Sequence, residues 1–115
     1  MMCSTKWQIY HQGKTVGQRG SENGLIMLDE SHVDGARITL ERDGYTPFAI
    51  TCGIYGWMVH TRFFSSELEA RQAFAAMKVA LGEILDLIPN QDDPDASSKM
   101  DIATDRIQKF VEDFP

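Results

Sequence analysis

Only two cysteines, Cys3 and Cys52, stand in this chain of 115 residues. Neither has a neighbour at CxxC spacing, which leaves no basis for a disulfide framework, a zinc ribbon or a thiol redox centre, and both are expected to be reduced. Long apolar runs are lacking too. None approaches the roughly eighteen residues of a membrane span, and the first residues, MMCSTKWQIYHQGK, lack the apolar centre of a signal peptide. A cytoplasmic location without a membrane partner is expected. Basic charge is scarce: 11 Lys and Arg oppose 17 Asp and Glu, for a net charge of −6. Nucleic-acid affinity comes largely from Lys and Arg neutralising phosphates, so a nucleic-acid partner is not expected.

What is present is ordinary for one globular domain: 43% hydrophobic and 24% charged residues, in a chain long enough to bury roughly two thirds of its unfolded surface. Residues 1–115 are read as a single unit, with a sheet part at 1–64, a long helix at 65–89 and a C-terminal helix at 96–114. The charge follows this division. Residues 1–64 hold six acids and six bases, residues 65–85 three and two, and residues 86–115 eight and three, giving 0, −1 and −5. The acidic end suits a basic protein partner or solubility.

The segment KWQIYH (6–11) reads as a short strand, and QGKTVGQRGSENG after it as turns or a mobile loop. LIMLD (25–29) is a short apolar run. In ARITLE (36–41), Ala36, Ile38 and Leu40 alternate with Arg37, Thr39 and Glu41, the period of a half-buried strand. The stretch FAITCGIYGWMVHTRFF (48–64) reads as a hairpin. A two-residue turn at Tyr55-Gly56 pairs Ile54 with Trp57, Cys52 with Val59, Ile50 with Thr61 and Phe48 with Phe63 on one apolar face. Thr51 with His60, Ala49 with Arg62, and Met58 and Phe64 then fall on the other face, and Cys52 and His60 point apart.

Ser66 and Glu69 are spaced as a capping box. Beyond them Ala70, Phe74, Met77, Leu81, Ile84 and Ile88 step by 4, 3, 4, 3, 4, a single helical stripe that Leu68 and Leu85 widen and Pro89 ends. Gly82 inside this helix suggests a close approach to a neighbouring element. Met100, Ala103, Ile107, Phe110 and Phe114 draw a second stripe. The expected fold is α+β: an antiparallel meander of three to four strands, with both helices on one face.

No nucleophile stands beside a base, so no catalytic residue is assigned, and no cofactor or metal is expected. GIY at 53–55 matches half the signature of GIY-YIG nucleases, but RFF stands where YIG belongs. Asn90, Asp92, Asp93 and Asp95 gather oxygens without the central Gly and closing Glu of an EF-hand, with Pro94 among them, and read as helix capping. His11 and His32 read as surface residues, Trp7 and Trp57 as packing. The candidate binding residues are Thr51, Met58, His60, Arg62 and Phe64, a mixed aromatic and polar face offered by the hairpin.

The stretch DGARITLE…PFAITCGIYGWMVHTRFFSSELEARQAFAAMK…LGEILDLIPNQDDPD, over about residues 34–95, resembles a small family of uncharacterised bacterial proteins of about this length. The resemblance implies a bacterial, stand-alone protein and brings no activity, cofactor or catalytic residue. The leading expectation is a non-enzymatic protein-interaction module, with a protein partner or a homodimer, self-associating or immunity-like. The alternatives are a small-molecule binder or enzyme using His60, Arg62 and Thr51, and RNA binding by the sheet face.

Overall fold

The alternating segment around Ile38 and Leu40 becomes the central strand of a five-stranded antiparallel meander. In the computed structural model, which describes residues 6–89 and 92–115, the strands β1 (Trp7–Ile9), β2 (Leu25–His32), β3 (Ala36–Arg42), β4 (Phe48–Ile54) and β5 (Met58–Phe64) lie side by side in chain order. Two helices follow, α1 (Glu67–Leu87) and α2 (Ala96–Asp113). The class is α+β, with five strands rather than three or four. The short strand expected at 6–11 forms as β1, with Trp7, Gln8 and Ile9 paired to His32, Ser31 and Glu30. These same β2 residues pair with β3 on their other side, so the apolar run at 25–29 extends to His32 as a full strand and brings the count to five. Cys3 and Asn90 lie outside the described residues.

The hairpin reverses one residue later than the sequence reading places it. Ile54 faces Met58, Cys52 faces His60, Ile50 faces Arg62 and Phe48 faces Phe64, leaving Tyr55, Gly56 and Trp57 as a three-residue loop. Both two-residue hairpin turns demand a positive φ at the first central position. Tyr55 does not take one; Gly56 does, at +82°, and the loop closes with the Trp57 N–H donating to the Ile54 carbonyl at 2.9 Å. One residue of slip moves every β5 side chain to the other face.

The core lies on the face shared by Ile38, Leu40, Ile50, Cys52 and Ile54, where the stripe of α1 joins them. Ala70, Phe74, Met77, Leu81, Ile84 and Leu85 are the buried residues of α1. This is the expected stripe, except that Ile88 sits half-buried beyond the helix end and Leu68 is exposed. Leu68 precedes Ala70 by two residues, roughly 200° around a helix, and therefore points away from the sheet. The helix begins as the capping signal suggests, with the Ser66 hydroxyl oxygen accepting from the Glu69 N–H at 3.3 Å. A methyl group at Gly82 would meet Trp7 and His32 at 3.9 and 4.0 Å, ordinary contact, so the approach of α1 to β1 and β2 does not depend on the glycine.

From α2, Ala103 and Phe110 are buried, and Phe110 stacks at a tilt on Phe114 with ring centres 4.9 Å apart. Trp7 and Trp57 pack, half-buried, against the core. His32 is a surface residue in the sequence reading but is buried in the structure, edge-on to Trp7 at 5.0 Å, because β2 extends under α1. Among the described residues no helix is long and apolar enough to cross a membrane.

Candidate functional site

The second face of the sheet is built from the side chains that alternate with the core set. On β3 these are Arg37, Thr39 and Glu41, which face Gly53, Thr51 and Ala49 of β4, and beyond them Val59, Thr61 and Phe63 of β5. The alternation of polar residues predicts a wet face, yet Thr39 is 9% and Glu41 2% exposed. The covering element is the glycine-rich segment that follows the 3-10 turn Tyr10–Gly13. The sequence reads it as turns or a mobile loop, whereas the structure fastens it to the sheet.

Three contacts do this. The Glu41 carboxylate accepts from the Gly24 N–H at 3.0 Å and from the Glu22 N–H at 3.2 Å. Asp29, 3% exposed, accepts from Arg37 Nε at 2.9 Å and Nη2 at 2.6 Å, and from the Thr15 hydroxyl at 2.8 Å. The Arg37 guanidinium in turn lies 3.8 Å from the centre of the Tyr10 ring. Buried carboxylates that receive several hydrogen bonds act as fixed anchors. A side chain at Gly24 would begin 2.7 Å from the Arg42 carbonyl oxygen, so only glycine lets the segment come down this far.

The segment covers only part of the face. At its rim a groove of about 440 Å³ is floored by Thr39, Thr51 and Val59 and walled by Arg19, Ser21 and Tyr55. The Thr51 hydroxyl stands 3.4 Å from those of Ser21 and Thr61. Such a groove offers a polar visitor hydroxyls and the guanidinium of Arg19, which bonds to the Asn23 carbonyl at 2.7 Å, while Arg37 is spent on Asp29 and Glu41 on backbone amides. Past the groove the face is open and apolar: Tyr55, Val59 and Phe63 are exposed, Val59 to 80% and Phe63 to 53%.

The register divides the candidate residues drawn from the sequence. Met58, His60, Arg62 and Phe64 lie on the face of Cys52 and α1, and Thr51 lies on the other, so the proposed group of His60, Arg62 and Thr51 is not assembled. His60 Nε2 donates to the Phe114 carbonyl, Arg62 Nε donates to the Pro115 carbonyl at 3.1 Å, and the Arg62 guanidinium lies 4.8 Å from the Phe64 ring centre. These side chains hold the end of the chain against β5. Cys52 stands directly opposite His60, contrary to the sequence reading, but burial pushes its thiol up to about 12, which keeps it neutral and unreactive. In the acidic loop, Asp93 accepts from Lys99 Nζ at 2.5 Å and from the Asp95 N–H at 2.8 Å, while Asp95, at the cap position itself, makes no side-chain cap.

Sequence reasoning missed Val59, Thr61 and Phe63 because the assumed turn buried them. The signal was available in Tyr55, a poor residue for a positive φ. Comparison with family models, curated proteins and solved structures finds no match to this chain.

Proposed function

We propose that this chain is a non-enzymatic protein-interaction module that engages its partner through β5. The observation that carries this reading is the state of that strand. β5 is the last strand of the sheet, seven residues long, and among the described residues no segment pairs with its outer edge. Its second-face side chains Val59 and Phe63 are the exposed ones.

An edge strand presents a row of unmet N–H and C=O groups, which natural sheets blunt by shortness, Pro, Lys or a covering element. The opposite edge, β1, is three residues long; β5 has neither Pro nor Lys, and its one charged residue, Arg62, lies on the core face bonded to the Pro115 carbonyl. Main-chain pairing at such an edge supplies affinity, and the alternate side chains supply selectivity. The helices contribute by sealing the other face, on the reading that both lie on that side. The bacterial character implied by the family resemblance is part of the same proposal.

The test is Val59→Lys combined with Phe63→Lys. Both positions are exposed, so the melting temperature should stay within a degree or two, while proteins co-purifying from the native cell, a second copy included, should be lost. A doubly substituted chain that keeps every partner would remove the reading.

A further inference from the structure

Resting on β5 as the binding strand, we infer that the partner is a second copy of this chain, joined edge to edge about a two-fold axis through Thr61. A symmetric antiparallel pair needs a strand whose chemistry reads alike from both ends. β5 is such a strand: Met58-Val59-His60-Thr61-Arg62-Phe63-Phe64 runs apolar, apolar, basic-polar, Thr, basic, apolar, apolar. Centring the axis on Thr61 sets Val59 against the second copy's Phe63, and Met58 against its Phe64. Every apolar side chain meets an apolar one, on both faces, Thr61 meets itself, and His60 meets Arg62 on the core side, where each is already bonded to a main-chain carbonyl of its own chain. Cross-strand pairs of aromatic and aliphatic residues are the favourable kind.

Charge separates this occupant from a basic protein. The acids a basic partner would seek are concentrated in residues 86–115, eight of the 17 in the chain, and β5 carries none. Two copies with a net charge of −6 each repel at long range and need a contact strand free of acid. The cationic Arg62 and its neighbour His60 are each already bonded to a main-chain carbonyl, of Pro115 and Phe114, on the core side. The two copies together form a continuous ten-stranded sheet, since five strands stand in each. An interface of one strand pair lies below the standard size, so the affinity should be modest, with a dissociation constant on the order of 10 to 100 μM.

Light scattering or sedimentation equilibrium from about 10 μM to 1 mM, concentrations that bracket such an affinity, should show the mass rising from 13.0 kDa toward twice that value. The Val59→Lys, Phe63→Lys chain should remain monomeric throughout, because like charges then face each other across the axis. Register is read separately in a Cys3→Ser background. Thr61→Cys should form a disulfide-linked dimer under mild oxidation, its Cβ facing its copy at about 5 Å. Val59→Cys should not, being about 13 Å from its copy along the strand. A wild-type chain monomeric at every concentration overturns the homodimer. If the lysine pair still strips other proteins from the chain in cell extract, β5 is a binding strand for a different occupant, and if it strips nothing the reading of β5 falls as well. A dimer that cross-links through Val59→Cys as readily as through Thr61→Cys overturns the two-fold pairing.

Discussion

Leu40 and Glu41 are neighbours in β3, point to opposite faces of the sheet, and are hidden from water to almost the same degree, at 0% and 2% exposure. Leu40 is covered by the apolar cluster of α1, a contact that needs only volume and shape. Glu41 is covered by a polar segment whose amides aim at its carboxylate. The first kind of closure is non-directional and tolerates exchange among residues of similar size. The second is directional and fails if either the acceptor or the glycines above it change. The same strand thus closes one layer by burying hydrocarbon and the other by satisfying a charge.

The largest effect should come from breaking the first closure. Leu40→Ala removes a fully buried side chain from the centre of the cluster and should cost about 3 kcal/mol, within the usual range for such truncations, seen as a lower denaturation midpoint with the slope unchanged. A loss below about 1 kcal/mol would mean that the helix layer collapses onto the gap, and that this face is less rigidly packed than its burial suggests.

A smaller and more local effect should follow from Glu41→Gln. The amide keeps one acceptor oxygen but loses the charge that strengthens both backbone hydrogen bonds, a change worth about 1 to 2 kcal/mol. The distinguishing readout is hydrogen exchange: the amides of Glu22 and Gly24 should exchange faster while those of β3 and β4 remain protected. If all amides accelerate together, the segment is integral to global folding rather than a separately fastened cover. If the two named amides do not change, the carboxylate is not what holds them.

This contrast also decides what could be read from the amino-acid order. The helix layer was legible because apolar spacing in α1 has a period set by the helix itself: Ala70, Phe74, Met77, Leu81 and Ile84 all reach the core. The polar cover was not, because nothing local in QGKTVGQRGSENG reveals that Glu41, seventeen residues beyond Gly24, will accept its amides. Glu41 in an alternating strand looks like a solvated residue. Its partners are backbone groups without sequence identity, so only tertiary structure reveals them. The edge surface was lost for a different reason. It hangs on one turn: a two-residue loop at Tyr55-Gly56 needs a positive φ at its first central position, where Tyr55 stands. A two-residue loop there turns Val59, Thr61 and Phe63 inward and His60, Arg62 and Met58 outward, the reverse of the register in the sheet. A loop chosen by φ requirement rather than by the apolarity of the facing pairs would have recovered the register.

The smallest effect expected lies where the first face meets its margin, at His32. Its ring is buried beneath α1, and Nδ1 accepts the Asp34 N–H at 3.0 Å, which leaves the proton on Nε2. Burial lowers its pKa from the usual value of 6.5, outweighing the nearby Asp34 carboxylate, which raises it. In the unfolded chain the same imidazole protonates in the ordinary histidine range, so as pH falls below about 6.5 the unfolded state takes up a proton that the native state refuses. Stability from this group is therefore complete above that range and declines on acidification, until the lowered native pKa is reached and the slope ends. His32→Asn offers the Asp34 amide an acceptor in place of Nδ1 but does not titrate. Melting temperatures measured between pH 7.5 and 5 should fall more steeply for the wild type than for this variant. Parallel curves would show that His32 charges as easily in the native state as in the unfolded one, and that the margin of the helix-covered face admits water where the centre, at Leu40, does not.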